Sequence, residues 1–314
     1  MKEEFDFYNM TSIKSYNLDE KIRYQLSILD GLDAFTRKHC EHVANLTCRI
    51  CEYLGMDEGF TVYCTICAYL HDVGKIFIPP AILQKPGKLT EEEYEIMKTH
   101  TTIGYKMCVK DPALRPYAAG TLYHHEALNG TGYPNGVTAK DIPYEAQIIR
   151  VADEYDAITS KRQYKTHVGT VETLKILISE TKPEAPKSLT PNIKVLTEQA
   201  HLGKIDKKIL KALFKVCFDD VETEIAARIT YLDYLKKDIK RMRKALNSYE
   251  KMQAAILPNK KEYYRQEAEA YLVNNEKVEL IPDTYNQMKA SILQREEHLQ
   301  QLYIESKQIK KLSV

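Results

Sequence analysis

The chain has 314 residues, Lys+Arg 45 against Asp+Glu 44, a formal net charge of +1, and 44% hydrophobic with 28% charged residues. That balance suits a folded chain, excludes collagen-like, disordered and membrane-embedded classes, and leaves no broad basic surface for a nucleic-acid polymer. No stretch approaches the ~18 apolar residues of a bilayer span, and the start, MKEEFDFYNM, lacks a basic region leading into an apolar one, so a cytoplasmic chain without membrane contact is expected.

Residues 1–35 read as an N-terminal helical segment. From there, Val43, Leu46, Ile50 and Leu54 recur at helical spacing over 36–54, and a second helix, 60–72, follows the Gly55–Gly59 turn. Thr90 and Glu93 form a capping box opening a helix that carries Ile96, Met97, His100 and Ile103. Another helix is expected from about Glu145 through Ala157. Residues 178–203, with Pro183, Pro186, Pro191 and Gly203, read as a loop or insertion.

All 12 glycines lie between Gly31 and Gly203, and residues 204–314 have none. There the strong helix formers dominate, and Ile225, Ile229, Leu232, Leu235, Ile239, Met242, Leu246 and Tyr249 recur near a heptad seam. Pro258 and Pro282 interrupt the pattern before Tyr285, Met288, Ile292, Leu299 and Leu302 resume it, so a second long helix is expected to fold back on the first. The stripe serves equally for packing on the body or for a homodimer through the C-terminal helices. Strand patterns are scarce, so the fold class is all-α, with a helical domain over 36–177, the loop 178–203, and a helical hairpin or coiled coil over 204–314.

Six of the nine histidines fall between His39 and His125, among them His71-Asp72 and His124-His125. Burying such pairs in a helical body is costly without a cation. Imidazoles mixed with carboxylates suit iron, manganese or zinc and point to a hydrolytic centre. Asp72 has two oxygens with which to bridge two metals, and Lys75 is a cation beside them suited to a phosphate oxygen. A competing motif is Cys48-x2-Cys51 with Cys64-x2-Cys67, a zinc-compatible spacing. Both pairs lie within amphipathic helical runs without knuckle glycines, which favours small apolar core residues.

The segments HDVGKIFIPPAILQKPGKLTEEEYEIMKTH (71–100), HHEALNGTGYP (124–134) and VADEYDAITSKRQYK (151–165) together resemble the HD-GYP phosphodiesterases of the HD superfamily. The resemblance runs from about residue 26 to 175. It implies an HD-superfamily helical bundle with a bi- or trinuclear iron or manganese centre that opens cyclic dinucleotides, chiefly cyclic di-GMP, to linear dinucleotide; whether the product is cut onward to mononucleotide is left open by the sequence. It also implies metal ligands at His39, His71, Asp72, His100, His124, His125 and Asp153, with His42 as a second choice beside His39. Lys75, Tyr133, Arg162 and Lys165 correspond to substrate-binding positions, and Asp72 and Lys75 to the catalytic pair. Asn129 stands where the family usually has Asp, which bears on a turn. Phe35 stands where some members carry a Glu for a third metal, so two metals are expected. The alternatives are an HD phosphohydrolase for cyclic GMP-AMP or another phosphoester, and a dinucleotide-sensing scaffold signalling through the tail.

Overall fold

The computed structural model describes residues 27–160, 168–183, 202–273 and 276–312. The expected helical segment 1–35 therefore lies mostly outside the described residues, as does most of the 178–203 loop. The chain divides into two compact units, Met1–Cys217 with Leu312–Val314, and Phe218–Lys311. The division falls inside a helix, whereas the composition changes at 203/204. Among the described residues there is no strand, and no helix is long and apolar enough to cross a membrane.

In the first unit, Asp33 caps α1 (Ala34–Leu54) by accepting from the amides of Phe35 and Thr36, and Gly55 ends it at φ 71°, a left-handed position that suits glycine. Asp57 caps α2 (Glu58–Leu70), whose residues from Cys64 to Leu70 are all buried. His71 ends α2, and Asp72 opens the 3₁₀ turn Val73–Phe77. The short α3 (Pro80–Leu83) precedes α4 (Glu91–Lys110), whose start is the expected Thr90–Glu93 capping box with both reciprocal bonds made. Then come α5 (Ala118–Tyr123), α6 (Tyr144–Thr159) and α7 (Thr170–Glu180). Cys48, Ile66, Leu70, Val73, Cys108, Leu114 and Ala118 share one core cluster, which ties α1, α2, the turn, α4 and α5 around the segment that carries His71 and Asp72.

The long helix α8 (Lys207–Ala254) begins in the first unit and continues in the second, followed by α9 (Pro258–Glu269) and α10 (Ile281–Lys311). Glu222 meets Ser306, Tyr231 meets Arg295 and Lys236 meets Glu296. From Glu222–Ser306 to Lys236–Glu296 the position rises on one helix as it falls on the other, so α8 and α10 run antiparallel, the expected hairpin. Two details differ. Pro258 and Pro282 stand in first turns, where the missing N–H costs nothing, so they start helices, and α9 is an additional element between the long two. Ile229, placed on the seam by its spacing, is 38% exposed.

Candidate metal centre

Five imidazoles and two carboxylates from five helices and the turns that end them converge in the first unit. His39 comes from α1, His71 and Asp72 from the end of α2, His100 from α4, His124 and His125 from the end of α5, and Asp153 from α6. All but His125 are buried. Two glycines permit this convergence. A Cβ on Gly74 would lie 2.0 Å from the His100 carbonyl oxygen, and one on Gly132 would lie 2.3 Å from the Ala127 nitrogen.

The tautomers follow from the backbone. His71 Nδ1 lies 2.6 Å from the Ala68 carbonyl, His100 Nδ1 2.7 Å from that of Met97, and His124 Nδ1 3.1 Å from those of Gly120 and Thr121. A carbonyl only accepts, so each Nδ1–H donates and each Nε2 presents a lone pair. These lone pairs meet no donor. His71 Nε2 and Asp72 Oδ1 are buried without a hydrogen-bond partner. His100 Nε2 and His124 Nε2 stand 3.3 Å apart, acceptor to acceptor. An array of buried acceptors aimed at one another is stabilised by a cation between them; the residues therefore fit a metal.

Two groups are resolved. His39, His71 and Asp153 each offer an atom within 4.8 Å of the others, and so do His100, His124 and His125. Asp72 reaches both, with Oδ2 3.4 Å from His71 Nε2 and 3.7 Å from His39 Nε2, and Oδ1 3.3 Å from His100 Nε2 and 3.9 Å from His124 Nε2. A third group, Cys40 with His71 and Asp72, lacks a thiolate because burial pushes the Cys40 thiol well up.

Charge is distributed in a definite way. Burial pushes His100 down to about 4 and His124 and His125 well below the usual imidazole range, so all three are neutral. Burial also acts against the charge on Asp72, but the neighbouring Lys75 ammonium foremost outweighs it and holds the carboxyl well below its usual range. Lys75 donates to Asp72 Oδ2. His39 is raised to about 9: burial opposes its charge, and hydrogen bonds to Asp153 and Asp156 prevail.

Asp156 was not among the expected residues. Its Oδ2 accepts from His39 Nδ1 at 2.6 Å and from the Ser160 hydroxyl at 3.0 Å, so it orients His39. The signal was its spacing of three from Asp153 on one helix, which puts both on one face. His42 is 48% exposed and 3.3 Å from Asp156 Oδ1, outside the groups. Arg150 also went unmarked, and it donates to the His125 and Glu126 carbonyls at 3.0 and 3.3 Å.

Tyr133 stacks on His125 with ring centroids 4.7 Å apart at 29°. Its loop is held by Glu126, whose carboxylate accepts the amides of Asn135, Gly136 and Val137 at 2.6–3.2 Å. Asn129 accepts from the Thr131 amide and hydroxyl, closing a local turn, and belongs to none of the metal groups. Phe35 is 43% exposed and offers no ligand atom. Arg162 and Lys165 lie outside the described residues. The four cysteines of the two C-x2-C pairs are buried and unbridged, and no metal group among the described residues combines them.

A family model describing the HD domain matches residues 5–184. Over 146 residues the chain is 47% identical to a protein of Thermotoga maritima named cyclic di-GMP phosphodiesterase, covering 45% of this chain and 40% of that one. Over 137 residues it is 43% identical to the cyclic di-GMP phosphodiesterase response regulator RpfG of Xanthomonas campestris, covering 43% and 35%. Over 150 residues it is 34% identical to 3'3'-cGAMP-specific phosphodiesterase 3 of Vibrio cholerae, covering 48% and 33%. The chain thus spans less than half the length of each of these relatives.

Proposed function

The chain belongs to the HD-domain family, and from that premise we propose that it is a metal-dependent phosphodiesterase of the HD-GYP type. In this reading it opens a 3′–5′ cyclic dinucleotide, cyclic di-GMP first, to the linear dinucleotide and onward to mononucleotide. The observation that carries the reading is the pair of facing lone pairs on His100 and His124, with the orphaned Asp72 Oδ1 3.3 and 3.9 Å from them and the orphaned His71 Nε2 3.4 Å from Asp72 Oδ2. The similarity to the cyclic di-GMP phosphodiesterases over the same region supports the substrate class.

His39, His71 and Asp153 would hold one divalent ion and His100, His124 and His125 a second, with Asp72 shared between them. A mixed imidazole and carboxylate set without thiolate favours iron or manganese. Bound there, such ions supply Lewis acidity toward the phosphoryl oxygens and lower the pKa of water. The protein's own groups do the rest. Lys75 keeps Asp72 ionised and presents its remaining N–H donors to a nonbridging phosphate oxygen. Asp156 fixes the His39 ring, the three backbone carbonyls fix the other tautomers, and the stack on His125 fixes Tyr133 at the edge of the site. Arg162 and Lys165 remain assigned to the substrate phosphates. The seven unbridged, buried thiols suit a reducing, cytoplasmic setting, and the hairpin of the second unit is the place assigned to a homodimer contact.

A second reading, cyclic GMP-AMP as the preferred substrate, is favoured by the 34% identity to the cGAMP-specific relative. The test is chromatographic product analysis with anaerobically purified protein loaded with Fe²⁺ or Mn²⁺, given cyclic di-GMP, cyclic GMP-AMP or cyclic di-AMP, beside Asp72→Ala. Conversion of cyclic di-GMP in preference to the others, abolished in the variant together with metal binding, is the expected result. Preference for cyclic GMP-AMP establishes the second reading. Normal turnover by Asp72→Ala overturns the assigned centre.

A further inference from the structure

Beyond the metal groups, Tyr94 and Lys98 stand one turn apart on α4, the helix that supplies His100. Tyr94 is 47% exposed, a large ring left open beside a buried cluster. It meets Tyr133 edge-on, with ring centroids 6.3 Å apart at 78°, and Tyr133 in turn lies on His125. Lys98 Nζ sits 5.3 Å from the Tyr94 ring centroid and 5.7 Å from that of Tyr133, within range of a cation–π contact with both. Glu95 tethers this ammonium at 2.5 Å and is itself 70% exposed. The array runs from the metal ligands outward as imidazole, phenol, cation and a half-open phenol.

Two parts of this array remain open to a ligand. Tyr94 leaves nearly half of its surface exposed, and the Lys98 ammonium has three N–H donors, more than its tether to Glu95 takes. A flat, π-faced group with acceptors on its edge matches both. Purine bases joined through ribose to the phosphate at the metal groups supply that shape, since bases stack on aromatic side chains whatever their identity. Guanine presents two acceptors, O6 and N7, to a lysine, whereas adenine presents an amino donor beside N7.

We propose that Tyr94 and Lys98 form the base-reading rim of this site, Tyr94 stacking a purine of the cyclic dinucleotide and Lys98 donating to the acceptor edge of guanine. This rests on the cyclic-dinucleotide reading above and adds the residues that set its base preference.

The test uses the full, metal-loaded chain. Because the sequence contains no tryptophan, Tyr94→Trp introduces a single indole, whose fluorescence in rapid mixing with cyclic di-GMP is quenched by stacking before turnover. Tyr94→Ala raises KM for cyclic di-GMP about ten-fold and Tyr94→Phe restores it. Lys98→Ala lowers the kcat/KM preference for cyclic di-GMP over cyclic di-AMP by about ten-fold. Metal content at the wild-type level shows that the variants are folded. If the wild-type chain turns over none of the cyclic dinucleotides, the proposed function fails. If it does turn them over and Tyr94→Ala keeps the wild-type KM, or Lys98→Ala keeps the wild-type purine preference, or the indole shows no quenching, the base-reading rim alone is overturned.

Discussion

Removing the metal should destabilise the first unit and leave the second untouched. Without a cation, Asp72 Oδ1 and His71 Nε2 are buried and unpartnered, and the His100 and His124 lone pairs face each other at 3.3 Å. Each unsatisfied buried group of this kind costs about 1–3 kcal/mol, so several of them together make a metal-free centre strained by several kcal/mol. Linkage expresses the same quantity from the other side: free metal at about a thousand times Kd stabilises the folded state by about 4 kcal/mol. For a unit of this size each kcal/mol moves the midpoint by about 2–4 °C, which predicts a fall of about 8–16 °C on chelation. The assay is differential scanning calorimetry of the full chain, metal-loaded, chelated, and as Asp72→Ala. The second unit, Phe218–Lys311, has no metal group among its described residues, so its transition serves as an internal reference. Asp72→Ala should melt low and no longer respond to chelation. Equal midpoints for loaded and chelated protein, with metal loss verified by elemental analysis, would refute the reasoning.

Two further changes probe the scaffold. Gly74→Ala sets a Cβ 2.0 Å from the His100 carbonyl oxygen and 2.7 Å from the Gly104 nitrogen, both backbone, so the turn and α4 must separate; a loss of about 3 kcal/mol and weakened metal binding are expected by denaturation and metal titration, and wild-type values for both would contradict the packing argument. In the second unit, Arg241 grips Glu276 through two bonds of 2.8 and 2.9 Å, and the Val273 amide adds a third. The Arg241 hydrogen bond foremost holds the Glu276 carboxyl below its ordinary 4.5. A depressed carboxylate contributes stability that is present above pH 4.5 and lost as pH falls through the lowered folded value. Glu276→Gln should therefore cost about 1–2 kcal/mol at neutral pH and flatten the acid dependence of hydrogen exchange in α8 and α10, whereas an unchanged acid profile would count against the pair.

Much of the candidate site was legible because its candidate ligands sit in short local patterns. His71-Asp72 and His124-His125 are adjacent in sequence, and the Thr90–Glu93 box marks the start of the helix that carries His100. What was not legible depends on long-range pairing or on the ambiguity of single residues. Asp156 acts on His39 across 117 positions of sequence; its spacing of three from Asp153 places it on the same helix face, but its partner cannot be read locally. Pro258 and Pro282 break a heptad pattern whether they end a helix or begin one, which concealed α9. Ile229 fits the heptad spacing, but a stripe says only that residues share a face, and neighbouring turns of α8 contribute unequally to the interface. The C-x2-C pairs show the converse: spacing of three on a helix aligns two small side chains toward the core as readily as toward zinc.

The charge pattern around Asp72 also orders the binding events. Asp72, Asp153 and Asp156 are all held ionised, against burial that opposes them, by Lys75 and the neighbouring imidazoles. Lys75 and His39 are held protonated, and His100, His124 and His125 are held neutral. Three carboxylates thus face two cations, and these groups together carry one net negative charge in a region where water is scarce. A phosphodiester approaching that array meets repulsion, which buried surroundings strengthen. Divalent ions reverse the sign, so the same residues that repel a phosphate when bare attract it once loaded. Under the proposed function this charge distribution predicts metal first and dinucleotide second, and dinucleotide affinity measured after chelation should fall together with metal content.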